Sequence, residues 1–330
     1  MLTQRDHQSR LKASPASRPH RAVGENRPSE GKGSGTGWKE RILSAVFRLL
    51  GLLPLWALHT LGWLVGYLMV RIPNKQRRNA LINIRLCYPE LDEEEASRFR
   101  NRSMIEFGKT HAEIAYLWQR PVGRVLSQVK GISGLEHLDR SDGRGVIVLS
   151  PHLGAWELAG LYLSTLGPTT ILYRPQPLAD GLIRDARARG GGQLAPTNPR
   201  GIRRLLQALK RGEYVGILPD QEPKADRGSV FAPFFGVQAF TMLLVSRLVQ
   251  KTGARVVFLF AERLTRSRGY VLHCLNAPEG IDSDNDIEAA TALNRGVERC
   301  IARCPRQYVW PYKRFRTRPG GGRHPYRGAL

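Results

Sequence analysis

The sequence predicts an α/β protein: a mostly parallel sheet flanked by helices, preceded by an N-terminal membrane-associated helical segment. Two observations predict the sheet and one predicts the segment. Beyond about residue 141, short β-branched and apolar runs alternate with longer helical stretches, as in strands joined by crossover helices. At 330 residues with 42% hydrophobic content, the chain is long and apolar enough to bury a sizeable core. Ahead of that alternation, Leu49 to Val70 runs for 22 residues without a formal charge.

Residues 1–38 are rich in Ser, Pro, Gly, Arg and His, have little apolar periodicity, and read as a disordered basic tail without a secretory h-region. Residues 39–72 read as a membrane anchor or interfacial helices. The run "LLGLLPLWALHTLGWLVGYLMV" is long enough to cross a hydrocarbon core. Pro54 and His59 weaken a plain span, because proline kinks a helix and histidine is costly in lipid. Basic residues on both flanks fit an insertion with both ends on the same side. Residues 73–318 form the main domain, with a helical part over 73–140 and an α/β part over 141–318. Leu91-Asp92-Glu93-Glu94-Glu95 opens one helix of the first part with acids that suit a helix N-terminus.

In the second part, strands are predicted at Val146–Leu149, Thr169–Tyr173, Tyr214–Leu218, Val256–Phe260 and Tyr270–Cys274. Helices are predicted at Glu157–Leu166, Leu178–Ala188, Arg200–Arg211, Phe240–Lys251 and Ile287–Arg303. Residues 319–330 read as a basic tail.

Charge narrows the function classes. Lys and Arg number 51 against 28 Asp and Glu, a net charge of +23. So basic a chain suits an anionic membrane, a phosphorylated substrate, an acidic carrier protein or nucleic acid. No recognition helix, zinc finger or aromatic-basic platform is present, which disfavours nucleic acid. The four cysteines are scattered without a CxxC pair, so reduced buried thiols are expected and no metal site.

In open α/β sheets, ligands bind outside the carboxyl ends of the strands. Two chemistry-bearing stretches fall there. In "VIVLSPHLGAWELAG", His152 follows a buried strand and Glu157 lies five residues on. Histidine suits general-base work near neutral pH, and a nearby carboxylate can fix its tautomer. Pro151 and Gly154 imply a bent turn that brings Glu157 back to His152. In "YVGILPDQ", Asp220 and Gln221 follow another strand and are expected to shape the same site. Arg174, in "LYRPQ", also follows a strand. The triplet Gly190-Gly191-Gly192 is no phosphate loop, since it follows a helix and lacks a Lys-Ser/Thr. His111, His137 and His273 read as structural or exposed.

"SPHLGAWELAG" resembles the H-x4-(D/E) motif of the glycerolipid acyltransferase superfamily. With "NALINIRLCYPELDEEE", "YRPQ", "ALKRGEYVGILPDQEP", "GSVFAPFFGVQAFT" and "CPRQYVWPYKRFRTRP", the chain resembles the bacterial lipid A late acyltransferases from about Lys39 to Pro319. Glu157 in place of aspartate, and Leu218-Pro219-Asp220-Gln221 in place of an EGTR-like segment, favour that group over the glycerol-phosphate acyltransferases.

The resemblance implies transfer of a fatty acyl chain from acyl-carrier protein, as co-substrate, to a hydroxyl of a lipid A precursor. It implies His152 as general base oriented by Glu157, with no cofactor, metal or covalent enzyme intermediate. It implies Arg174, Arg187 and Arg189 as substrate-binding candidates beside Asp220 and Gln221, and the cytoplasmic face of a bacterial inner membrane as the place of action. "VFAPFFGV", strongly apolar beside the expected site, reads as ordinary core or as the lining of an acyl channel. Another acceptor, such as a phosphatidylinositol mannoside, stays open, since one sequence does not read the acceptor pocket.

Overall fold

The computed structural model describes residues 37–176, 179–223 and 228–327. The predicted tail over 1–38 therefore lies outside the described residues except for its last two, which open the first helix. From Trp38 on, the chain forms one compact unit.

The long apolar run is not one helix. α1 (Gly37–Gly51) and α2 (Leu55–Arg71) are separated at Leu52–Pro54, where Pro54 caps α2. Among the described residues no single helix is long and apolar enough to cross a membrane, and only α2 taken with α3 (Lys75–Cys87), bent by 80°, passes on length and composition. α2 buries a narrow stripe of Leu58, His59, Gly62 and Gly66 against α4 (Glu93–Gln119). A Cβ on Gly62 would meet the Lys109 Cα at 2.5 Å, and one on Gly108 would meet the Gly62 carbonyl at 2.2 Å. The small residues let the two backbones touch, as in close helix pairs generally. Its other side stays open: thirteen of the fifteen exposed large apolar side chains among the described residues lie between Trp38 and Ile72.

α4 starts as its acids predict. The Asp92 side chain accepts from the Glu95 amide, and Glu95 accepts in return from the Asp92 amide, a full capping box. Near its far end α4 carries Glu113, wholly buried, on which Arg263, Tyr270 and His59 converge. Arg263 Nε donates at 2.8 Å, Tyr270 Oη at 2.7 Å, and His59 Nε2 lies at 2.9 Å. Arg263 also bonds Thr110 and Glu106. Burial alone would push the Glu113 carboxyl up. The Arg263 charge and the hydrogen bonds outweigh it and hold the group at about 2.

After α5 (Val122–Leu126), nine strands follow among the described residues: β1 (Val129–Ser133), β2 (Val146–Leu149), β3 (Thr169–Tyr173), β4 (Gln193–Pro196), β5 (Tyr214–Ile217), β6 (Ser229–Phe234), β7 (Val237–Met242), β8 (Arg255–Arg263) and β9 (Tyr270–Asn276). Seven form one sheet in the order β1-β9-β8-β2-β5-β3-β4. β8, β2, β5, β3 and β4 run parallel, and β9 turns back antiparallel on β8. Alternation splits the strands between two cores. Ile147, Leu149, Val215 and Ile217 face α3, α8 (Pro199–Lys210) and α10 (Asp286–Arg303). Val146, Val148, Val257 and Leu259 face α6 (Trp156–Leu166) and the end of α4.

The predicted strands and α/β helices are present, with differences at their edges. α7 is Asp180–Ala188; Leu178 lies outside the described residues. The helix predicted from Phe240 begins instead at Leu244, as α9 (Leu244–Thr252). Phe240 to Met242 belong to β7, where Phe240 pairs with Phe231 across a two-stranded hairpin with β6. "VFAPFFGV" is this hairpin. Its Phe234 packs on Tyr308 and Phe315 and belongs to the core.

The C-terminal basic stretch is packed down through Tyr326, which is 3% exposed and bonds Asn83 of α3 and the Phe315 amide. Its Arg314 is buried among the Phe240 carbonyl, Thr241 and Asn294.

Replacing Glu113 by Ala leaves the Arg263 charge buried without its partner, at an expected cost of ~3–5 kcal/mol. Denaturant unfolding measures it; a loss under ~1 kcal/mol would show that the knot does not hold α2 and α4 to the sheet. Because the Glu113 carboxyl is lowered, its contribution is complete above its ordinary 4.5 and fades as pH falls toward about 2. Glu113→Ala should flatten that acid limb.

Candidate active site

β2 and β5 are adjacent and parallel, with Leu149 opposite Ile217. His152 lies three residues beyond Leu149, and Asp220 three beyond Ile217. The register therefore sets both side chains at the same height past the carboxyl edge of the sheet. They meet: His152 Nδ1 lies 2.8 Å from Asp220 Oδ1, and the His152 amide donates to Oδ2 at 3.1 Å.

The loop holding His152 is tied on every side. The Val309 amide donates to the His152 carbonyl, and the Gly154 amide to the Gln307 carbonyl. The Ala155 amide donates to the Ala261 carbonyl at the edge of β8. Gly154 has φ +58°, and a Cβ there would sit 2.1 Å from the Ala261 carbonyl, so the turn requires glycine. Gln307 exchanges two hydrogen bonds with the Arg263 backbone.

An ionised carboxylate only accepts, so Asp220 fixes the proton on Nδ1 and leaves Nε2 as the nitrogen that carries a lone pair and can act as a base. Burial would raise the Asp220 carboxyl. The facing His152 charge and two hydrogen bonds from His152 overcome it and hold the group below the usual carboxylate range. Asp220 is 3% exposed, while the His152 side chain keeps 17%, so the base is reachable and its partner is not. Gln221 Nε2 lies 3.1 Å from His152 Nε2, marking the spot where an incoming hydroxyl would sit. The Trp156 ring packs 5.2 Å from the imidazole.

Glu157, expected to orient His152, makes its hydrogen bonds to other groups. Glu157 is the second residue of α6, and its carboxylate turns away from the imidazole. Arg187 Nη2 donates to it at 2.6 Å and Arg187 Nε at 3.1 Å; the indole N–H groups of Trp118 and Trp156 donate at 3.1 Å each. Burial pushes the Glu157 carboxyl up, and Arg187 with both indoles brings it net below its ordinary value. Glu157 thus pins together α4, α6 and α7 and fixes Trp156 against His152. The spacing put the carboxylate near the base but not the direction in which the helix carries it.

The three candidate arginines part company. Arg187 is bound to Glu157. Arg189 caps the end of α4 by donating to the carbonyls of Leu117 and Arg120. Arg174 is exposed just past β3, on the same edge of the sheet as His152. Sequence reasoning missed Trp118, Trp156 and Tyr308. The buried Tyr308 phenol lies against Asp220, whose charge, after burial, raises it. Its only signal was its place in the quoted C-terminal segment. Beside Glu157 lies a cavity walled mostly by apolar side chains of α6, β2, β3, β5 and β8.

Residues 37–317 match the family described as bacterial lipid A biosynthesis acyltransferase. The chain is similar to the lipid A biosynthesis lauroyltransferase of Escherichia coli (strain K12), 30% identical over 292 residues, or 86% of this chain and 93% of that protein. It is 31% identical over 286 residues to the lipid A biosynthesis palmitoleoyltransferase of the same strain, covering 82% and 91% of the two chains. The lipid A biosynthesis myristoyltransferase of that strain is 28% identical over 268 residues, or 80% of this chain and 82% of that protein.

The geometry assigns different work to the two carboxylates, and kinetics should separate them. Asp220→Asn is expected to lower kcat by about 10²- to 10⁴-fold with little change in KM, because the wrong tautomer is favoured. Glu157→Gln keeps an acceptor for only one of the two indoles and weakens the Arg187 pair, so its larger effect should be on thermal stability. Equal kcat losses with unchanged stability would return Glu157 to the role of orienting group.

Proposed function

The chain belongs to the bacterial lipid A biosynthesis acyltransferase family, and from that premise we propose that it moves a fatty acyl chain from an acyl-carrier-protein thioester to a hydroxyl of a lipid A precursor. The observation that carries the mechanism is the His152–Asp220 pair at the open edge of the sheet. His152 Nε2 takes the proton of the acceptor hydroxyl. The alkoxide oxygen attacks the thioester carbon and forms a tetrahedral oxyanion. As that collapses, the carbon–sulfur bond breaks, and the departing thiolate takes the proton back from His152. Asp220 stays ionised and stabilises the imidazolium in between, as in other His–Asp pairs.

Nothing in this cycle needs a covalent bond to the protein. Arg174, exposed on the same edge, is placed to meet a phosphate of either substrate. Arg187, Arg189, Asp220 and Gln221 shape the site from within, two of them through the contacts to Glu157 and the α4 end.

The same reading places the protein on the cytoplasmic face of a bacterial inner membrane. The supporting observation is the apolar side of α1 and α2, where Leu49, Trp56, Trp63, Leu64 and Leu68 stand exposed beside Lys39, Arg48 and Arg71. An amphipathic surface with aromatic residues and basic flanks suits the headgroup boundary. A lipid-bound acceptor would then reach the site without leaving the bilayer.

Mass spectrometry of lipid A from a strain lacking the gene, complemented with wild type or His152→Ala, tests the reaction. The expected result is loss of one secondary acyl chain, restored by wild type alone. Unchanged lipid A in the deletion strain would overturn the acceptor. Flotation with anionic vesicles tests the surface. The Leu64→Asp, Leu68→Asp double variant should bind at least about tenfold more weakly; wild-type binding in that variant would remove α2 from the interface.

A further inference from the structure

Among the described residues three arginines are buried, and two of them are held by several oxygens. Arg263 meets Glu113, Glu106 and Thr110, and Arg314 meets the Phe240 carbonyl, Thr241 and Asn294. Arg100 on α4, 8% exposed, is the third. Its Nε and Nη2 share one neutral acceptor, the Asn101 side-chain oxygen, at 3.0 and 2.8 Å, and no carboxylate among the described residues pairs with it. Burial lowers the Arg100 guanidinium below its ordinary value, and the neighbouring charges of Arg77 and Arg85 on α3 lower it further. Arg77 Nε is buried too, without a hydrogen-bond partner among the described residues. Ser103, one turn beyond Arg100 on the same face of α4, is 1% exposed, and its Oγ has no partner there either. A buried charge is costly unless paired, and a buried hydroxyl seldom goes unpaired. Like charges gathered beside it add to the cost. The missing partner is therefore an anion that arrives from outside.

The place of this cluster in the fold says where the anion comes from. Gly62 packs against Lys109 and Gly66 against Ile105, so the antiparallel course of α2 and α4 brings Arg71, the last residue of α2, level with Arg100. Arg71, Lys75 and Arg102, all exposed, flank the same end. There the open apolar side of α2 stops, which is the headgroup level when such a side is seated in a bilayer. His111, whose ring meets Trp156 in the candidate active site, lies about 16 Å further along α4. The cluster is thus separate from the site of His152.

We propose that Arg100, with Arg77 and Arg85, forms a phosphate site that takes the headgroup phosphate of a membrane lipid. More than one positive charge converges there, which favours a phosphate, with its higher charge and three acceptor oxygens, over a carboxylate. Arg85 can turn to it, since its ion pair with Glu93 is exposed and of a kind that contributes little. The lipid source rests on the membrane face proposed above; the anion itself rests only on the unpaired buried charge.

The test uses the purified full-length protein in an uncharged detergent. Thermal melts are compared in inorganic phosphate and in chloride of the same ionic strength. Wild type should gain stability with phosphate up to saturation, and Arg100→Met should gain none. In chloride alone Arg100→Met should melt no lower than wild type, because an apolar chain of similar length replaces an unpaired buried charge. A lower melt there would mark Arg100 as structural. Arg100→Lys keeps the charge, guards against misfolding, and should retain part of the phosphate response. Phosphatidylcholine vesicles carrying phosphatidate, against vesicles of equal charge carrying a carboxylate lipid, separate a headgroup from free phosphate. Wild type should prefer phosphatidate about fivefold, and Arg100→Met should lose that preference while still binding through α1 and α2. A phosphate response without the preference assigns the site to a soluble phosphate. A phosphate response in a protein that binds no vesicle leaves the site standing and removes the membrane face. If phosphate and chloride act alike on wild type, and wild type does not prefer phosphatidate, the inference is overturned.

Discussion

The ion pair between Glu113 and Arg263 is the polar contact that ties the helical part to the sheet, beside the two apolar cores that join them. It is fully buried, which makes it costly unless every donor and acceptor finds a partner. Here they do: Tyr270, Thr110, Glu106 and His59 complete the set. His59 comes from α2, the helix with the open apolar side. Arg263 ends β8, and its backbone grips Gln307, whose carbonyl holds the Gly154 amide two residues from the base. A short series of bonds thus runs from the exposed apolar platform to the loop of His152. The platform and the loop of His152 are thereby held in a set geometry.

The two carboxylates near the base show how one short motif carries two structural duties. Asp220 lies far from His152 in sequence, and β3 and β4 intervene before the chain returns to β5 beside β2. That return supplies the base with its partner. Glu157 is close in sequence, but it begins a helix, and the helix turns its side chain toward Arg187 and two indoles. What Glu157 contributes reaches His152 through Trp156. A carboxylate so thoroughly bonded has no lone pair aimed at the imidazole, whereas one of each Asp220 oxygen's contacts is to His152 itself.

Much of this was legible in the sequence, and the parts that were not share physical causes. β2, β3, β5, β8 and β9 announced themselves because buried strands need β-branched and apolar runs. β1, "VKGIS", and β4, "QLAP", did not, since they lie at the edges of the sheet and carry no such run. The β6–β7 hairpin was hidden because its apolar residues read equally well as a channel wall or as the start of a helix. His152, Asp220 and Gln221 were found from their places at strand ends. Their pairing was not, because it depends on which strands are neighbours. Trp118 was invisible for a similar reason: it contributes through an indole N–H reaching from another element.

Charge, too, means something different once the fold is known. The net +23 suggested a surface built for anions. Several of its arginines are interior fittings. Arg263 neutralises Glu113, Arg187 neutralises Glu157, Arg189 caps helix carbonyls, and Arg314 ties a hairpin to α10 and the C-terminal strap. Guanidinium suits this work because its planar fork meets several acceptors at once and stays charged when buried. The attraction for a phosphorylated or acidic partner must therefore come from the remainder, such as Arg174 past β3 and Arg200, Arg203 and Arg204 along α8. Those of them at the carboxyl edge of the sheet share it with His152. The interior arginines hold the loop of His152 in place, and the outer ones carry the charge that an anion would meet.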